Sequence, residues 1–337
     1  MIPGSNSSLN PAGKFLYFTS LKNYFISRNL IVRSKHFLLF FLLVSGMVLA
    51  QDGETVARLE GKLLFNPRVS PDGKTVAFTQ EGYNGIYLMN ENNGLTQLTD
   101  EPASGFGYSW LPDNSGIVAR AAKFSGPIRE NQVVIYTIAD KGRTSISSLS
   151  SKSTILPGVS TGGDAYLLEG NTLLAFNPAS KTTSTVTPRG TSAFIESDKI
   201  AVVTASGKKV IEPFKGQRCI NAALSPDGGK VAFEIMGGNL FVINTDGTGL
   251  VDLGKGYRAS WAPDSKTITY MITGDDGHKI TASDIWLINP DGTGKKRVTG
   301  NSGNIELDPS FSSDGKYIYF ADMNDASIRK VNVEGLR

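Results

Sequence analysis

The chain has 337 residues, 40% hydrophobic and 19% charged, the balance of a protein that buries a core rather than one that stays disordered. Its net charge of +3 belongs to the front: Lys14, Lys22, Arg28, Arg33 and Lys35 meet no acidic residue before position 51, and removing those five from 34 leaves 29 basic against 31 acidic residues. A slightly acidic remainder excludes the basic footprint of a nucleic-acid binder, and a single cysteine excludes an internal disulfide framework.

In chain order, Arg33, Lys35 and His36 precede the apolar run Phe37–Ala50, with small or aliphatic residues at Val48 and Ala50. A basic flank, a short apolar run and such an ending predict a secretory signal cleaved between Ala50 and Gln51. The run is shorter than the roughly 20 residues of a membrane-spanning helix, and no cysteine follows it to carry a lipid. Residues 1–50 are therefore expected to be a leader, and 51–337 one exported domain, periplasmic or secreted, with no membrane span after cleavage.

Beyond the leader a short phrase recurs. Pro71, Pro112, Pro226, Pro263 and Ser313 head "PDGK", "PDNS", "PDGGK", "PDSK" and "SDGK", spaced 41, 114, 37 and 50 residues apart. Proline presets φ for the turn, Asp or Asn bonds the local backbone, and Gly accepts positive φ, so each copy reverses the chain. Strand-like runs follow, first "TVAF", "KVAF", "TITY" and "YIYF", then "GIYLMN", "VVIYTI", "NLFVIN", "DIWLIN" and "SIRKVN". "NTDGTG" and "NPDGTG" supply a further tight turn into a fourth strand. The long gap has room for two weaker copies, from Ile155 and from Ala193.

Four short antiparallel strands per unit at this period predict an all-β fold, a β-propeller of seven blades. Six is the alternative if 190–214, with room for about three strands, is an elaboration rather than a blade. The last unit has three strands of its own, and the run Glu54–Gly61 is expected to supply its outer strand and close the ring.

These "SPDGK…N-x-DGTG" units resemble the WD40-like repeats of TolB-type periplasmic propellers, also seen in prolyl-oligopeptidase-like enzymes. The resemblance covers roughly residues 62–337 and is weakest between Ser145 and Lys215. It implies six blades behind a separate N-terminal α/β domain, for which there is too little chain before the first blade here. It also implies an envelope role, since that family docks a peptidoglycan-associated lipoprotein at one tunnel mouth.

Candidate chemistry is sparse. His278 is the single histidine after the leader, no G-x-S-x-G elbow occurs, and the sequence points to a non-catalytic protein with no cofactor and no metal. Asp275, Asp276, His278 and Asp284 read better as a hairpin tip than as a metal cluster, and the two DGTG segments as turns rather than calcium loops. Cys219 reads as a small buried hydrophobe.

In the innermost strands, Val69, Trp110, Leu224, Trp261 and Phe311 occupy one core position, and Arg68, Ser109, Ala223, Ser260 and Ser310 precede them. Two residues earlier stand Asn66, Gly107, Asn221, Arg258 and Asp308, varied polar residues on a fixed framework. Asn66, Arg68, Tyr108, Asn221, Tyr257, Arg258 and Asp308 are the expected ligand-binding residues, at one tunnel mouth. The function expected is binding of a protein or peptide partner in the cell envelope, the alternative an oligosaccharide-binding or lyase-type propeller.

Overall fold

The computed structural model describes residues 53–151, 156–169, 172–185, 188–300 and 303–337. The expected leader and its apolar run lie outside the described residues. Apart from one 3-10 turn at Glu81–Tyr83, the regular structure is all β, in seven antiparallel sheets.

The first blade shows the pattern, with strands Leu64–Val69, Thr75–Gln80, Ile86–Asn90 and Leu95–Thr99 hydrogen-bonded in that order from the inside outward. The second, third, fifth and sixth blades repeat it over 109–145, 158–184, 219–254 and 257–297. The seventh takes three strands from 306–332, and its outer strand is Glu54–Arg58, paired with Ser327–Asn332. The expected closure is what the structure has.

The fourth blade, 192–211, shows three strands among the described residues, the room that the sequence leaves over 190–214. Its first strand, Ser192–Glu196, begins beside the third blade's turn, where Thr161 N–H donates to the Thr191 carbonyl at 2.9 Å. It ends at the opposite mouth, where Cys219 N–H donates to the Asp198 carbonyl at 2.8 Å. That is the direction of a second strand in every other blade. Among the described residues this blade shows no innermost strand, and its "PDG" counterpart is Pro188-Arg189-Gly190.

The turns explain the repeated phrase. In the first, the Ser70 hydroxyl donates to Asp72 Oδ1 at 2.6 Å and accepts from Thr75 N–H, while Asp72 Oδ1 also accepts from Lys74 N–H. Ser225 with Asp227 and Ser312 with Asp314 repeat these bonds, and Gly73, Gly228 and Gly315 all have φ between 72° and 76°. The "PDNS" and "PDSK" copies place Asn114 and Ser265 at the same positive φ, and each repays that strain by accepting from the preceding blade's Asp72 or Asp227 N–H at 3.0 Å. These copies are interblade links rather than eroded repeats.

The core is cyclic. Seven clusters of buried apolar residues each join two neighbouring blades, and the one containing Ala57, Leu64, Phe78, Ala321 and Ile328 joins the seventh to the first. Second strands are buried on both faces, so they read as runs such as Val231-Ala232-Phe233 rather than as alternation. Cys219 is buried in this core, which pushes its thiol up to about 11.

Glu306 is a polar exception. Its side chain is buried, its Oε2 accepts from the Thr299 hydroxyl, and its carbonyl accepts from Ser283 Oγ at 2.6 Å. Burial raises its carboxyl from 4.5 to about 7; the Thr299 bond opposes this, and Asp284 and Asp322 add to it. Between those values the folded chain holds a proton that the unfolded chain releases, so stability falls as pH rises from about 4.5 to about 7 and stays lowered above. Glu306→Gln is expected to add about 1–3 kcal/mol at pH 8 and almost nothing at pH 4.5, measured by urea unfolding. Equal shifts at both pH values would contradict this.

Candidate functional site at the tunnel mouth

The innermost strands begin at one mouth of the ring and end at the turns, and near that beginning each carries a distortion. The pairing slips between Phe65 and Arg68, Ile220 and Ala223, Tyr257 and Ser260, and Leu307 and Ser310. Inside each bulge sits a left-handed residue: Asn66 at φ 53°, Asn221 at 53°, Arg258 at 56° and Asp308 at 53°, with Gly107 at 71° in the second blade. The varied ring seen in the sequence is therefore first a backbone requirement. Asn, Asp and Gly are the residues that tolerate this conformation, and they fill every such position but one. Arg258 has no conformational reason to be there.

The bulges are tied blade to blade. Asp308 Oδ2 accepts from Asn66 N–H at 3.2 Å, and Glu234 Oε1 accepts from Arg258 N–H at 2.7 Å and from Asn221 Nδ2 at 3.0 Å. Tyr108 donates its hydroxyl to the Asn66 carbonyl at 2.7 Å, and Asn66 Nδ2 donates to the Gly105 carbonyl at 3.1 Å. Burial holds the Glu234 carboxyl and the Tyr108 and Tyr83 hydroxyls above their ordinary pKa values, and lowers that of Arg68.

Five of the seven expected residues, Asn66, Arg68, Asn221, Arg258 and Asp308, line one cavity of about 170 Å³. The other two stand off it. Tyr108 is buried in the core between the first and second blades and supports Asn66 from behind, while Tyr257 packs against the cluster of the sixth and seventh. Sequence reading missed Tyr83, Phe106 and Leu156, which complete the wall from loops that carry no periodic signal. The Tyr83 and Phe106 rings meet edge to face at 5.0 Å, and the Leu156 side chain lies where a Cβ on Gly107 would go.

Arg68 differs from its counterparts. Ser109, Ala223, Ser260 and Ser310 keep the corresponding positions small, so a single guanidinium occupies this level of the tunnel. Arg258 Nε approaches Asp308 Oδ1 at 3.7 Å. Replacing Arg258 by glycine is expected to leave the fold as stable as before or firmer by up to about 1 kcal/mol, because the backbone strain outweighs one long, half-exposed ion pair. Thermal unfolding checks this; a clear loss of stability would show that Arg258 is held there for structure.

Two long hairpins rise on this face, Gly116–Ser125 with Ile128–Thr137 and Ile268–Asp275 with Ile280–Ile288. The first exposes Phe124 and Ile128 at its tip, and the second carries His278 in the turn at 276–279. Asp276 Oδ1 there accepts from the His278 and Lys279 amides, which is turn chemistry. Among the described residues no group of three or more His, Cys, Asp or Glu could hold a metal, and no helix is long and apolar enough to cross a membrane.

No protein-family model matches this chain, and no curated protein is detectably similar to it in sequence. Solved structures do match. TolB from Acinetobacter baumannii aligns with a TM-score of 0.51 at 14% identity over 74% of this chain and 57% of its own. The likeness is one of fold. Streptogramin B lyase (0.57, 17%, covering 83% of this chain and 96% of that one) and oligogalacturonate lyase from Vibrio parahaemolyticus (0.54, 13%, 85% and 98%) share it equally. The chain spans little more than half of that TolB, and the six blades implied by the TolB-type resemblance are corrected to seven by the sheets themselves.

Proposed function

We propose that this chain is an exported, non-catalytic propeller that docks a protein or peptide partner on the bulged mouth of its tunnel, in a TolB-like envelope role. The observation that carries the reading is Arg258: a strained, left-handed arginine stands where the backbone asks for Asn, Asp or Gly, beside Arg68 in the same cavity. Strain kept at a concave, partly polar site is the pattern of a binding position. The raised hairpins and the aromatic wall of Tyr83 and Phe106 suit a chain laid across the mouth, and the leader-like run Phe37–Ala50 supports export.

The test is retention of a partner from envelope extract by the intact protein, alongside a glycan array. Arg68→Glu and Arg258→Glu are expected to lose a protein that the parent retains, while a charge reversal at Lys209 on the fourth blade keeps it. Specific glycan retention with turnover would replace this reading by the oligosaccharide-binding or lyase one.

A further inference from the structure

Resting on that reading, we infer that the mouth recognises a carboxylate on an acidic peptide, with Arg68 as its anchor and Arg258 beside it. Among the described residues, Arg68 is the one arginine whose guanidinium has no hydrogen bond, ion pair or aromatic face. Arg58, Arg143, Arg189, Arg218, Arg297, Arg329 and Arg337 pair with carboxylates, Arg129 donates to Asn131, and Arg120 lies over the Phe106 ring. Arg68 instead shares the cavity with Arg258, whose Nε stands 3.7 Å from Asp308 Oδ1. Two guanidiniums share the cavity with one lining carboxylate, Asp308, which already accepts from Asn66 N–H. The second carboxylate nearby, Glu234, stands behind the wall bonded to Arg258 N–H and Asn221 Nδ2, and burial favours its neutral form, so the space between the guanidiniums favours a further negative charge.

The geometry narrows the class. A guanidinium presents a planar fork that matches a carboxylate with two parallel bonds. Of the other polar side chains of the wall, Asn66 Nδ2 already donates to the Gly105 carbonyl and Asn221 Nδ2 to Glu234, while the Tyr83 hydroxyl stays open to a ligand. Tyr83, Phe106, Leu156 and Pro309, with small residues at 107, 222, 223 and 259, supply the remainder of the lining. A sugar ring brings hydroxyls on every side and would meet few free partners here; an acidic side chain brings one charged end on an apolar stem. The volume of about 170 Å³ equals some five or six waters, room for one such side chain.

The probes are N-acetyl-aspartate, its neutral isostere N-acetyl-asparagine, and galacturonate, titrated into the full 15N-labelled chain while the arginine Nε–H signals are followed. The Arg68 signal is assigned by its loss in Arg68→Met, and the amide spectrum of that variant reports whether the ring is intact. N-acetyl-aspartate is expected to move the Arg68 and Arg258 signals, with affinity weakened about tenfold or more in Arg68→Met and partly kept in Arg68→Lys, which retains the charge without the fork. Equal responses to acid and amide would overturn the inference, as would tighter binding of galacturonate. If Arg68→Met abolishes N-acetyl-aspartate binding but leaves partner retention intact, this inference fails and docking at the mouth stands. If Arg258→Glu also leaves retention intact, both fail.

Discussion

Replacing Ala57 by aspartate is expected to cost about 3 kcal/mol or more, enough to open the ring in a protein of ordinary stability. Ala57 is 3% exposed and packs with Leu64, Phe78, Ala321 and Ile328 in the cluster that joins the last blade to the first. A carboxylate there finds no partner, and relief comes by peeling the strand Glu54–Arg58 away from Ser327–Asn332. The other links in that sheet are side-chain contacts on the same strand region, Arg58 with Asp325, Lys330 with Glu54 at 3.3 Å and the Arg329 guanidinium with the Gly53 carbonyl, and they are lost as the strand peels. The freed edge would expose unpaired backbone groups, so the variant should also self-associate. Glu54→Ala, on the exposed part of the same strand, should change stability by no more than about 0.5 kcal/mol. Urea unfolding and sedimentation read both effects, and equal midpoints for Ala57→Asp and Glu54→Ala would contradict the closure.

Phe233→Ala should cost about 3–5 kcal/mol, with the cavity it leaves adding to the lost burial. Phe233 is fully buried, stacks on Phe241 at 5.7 Å, and lies in the cluster joining the fourth and fifth blades. Phe78 and Phe320 hold the same place in the first and seventh blades and should cost as much. Phe194, which faces the third blade as those three face the blade before their own, belongs to a smaller cluster, with five buried members among the described residues, and should cost less. Chemical unfolding of the four alanine variants checks the order; a Phe194 variant as damaged as the others would show that the three-stranded blade is no weaker a link.

The propeller was legible because its turns are chemically expensive to write differently. A serine hydroxyl, an aspartate and a left-handed glycine must stand at fixed offsets, as in Ser70, Asp72 and Gly73, so a short phrase marks each blade. The fourth blade was blurred for the same reason. Its turn has Arg189 where Asp is usual, and Arg189 pairs with Asp164 of the third blade instead of bonding its own loop. The mouth was half legible. Asn66, Asn221, Arg258 and Asp308 stood out as a varied column, but φ explains most of that variation, and only Arg258 departs from it. Tyr83, Phe106 and Leu156 reach the cavity from irregular segments, where no period in the sequence points to a shared destination.

The central claim is that the bulged mouth is the working surface. A photo-crosslinking residue placed at Phe106 on the mouth, compared with one at exposed Val210 on the outer strand of the fourth blade, tests it most directly in cells. The expected result is a discrete protein adduct from position 106 that disappears when Arg68→Met is added, with none from position 210. An adduct from position 210 alone would contradict it.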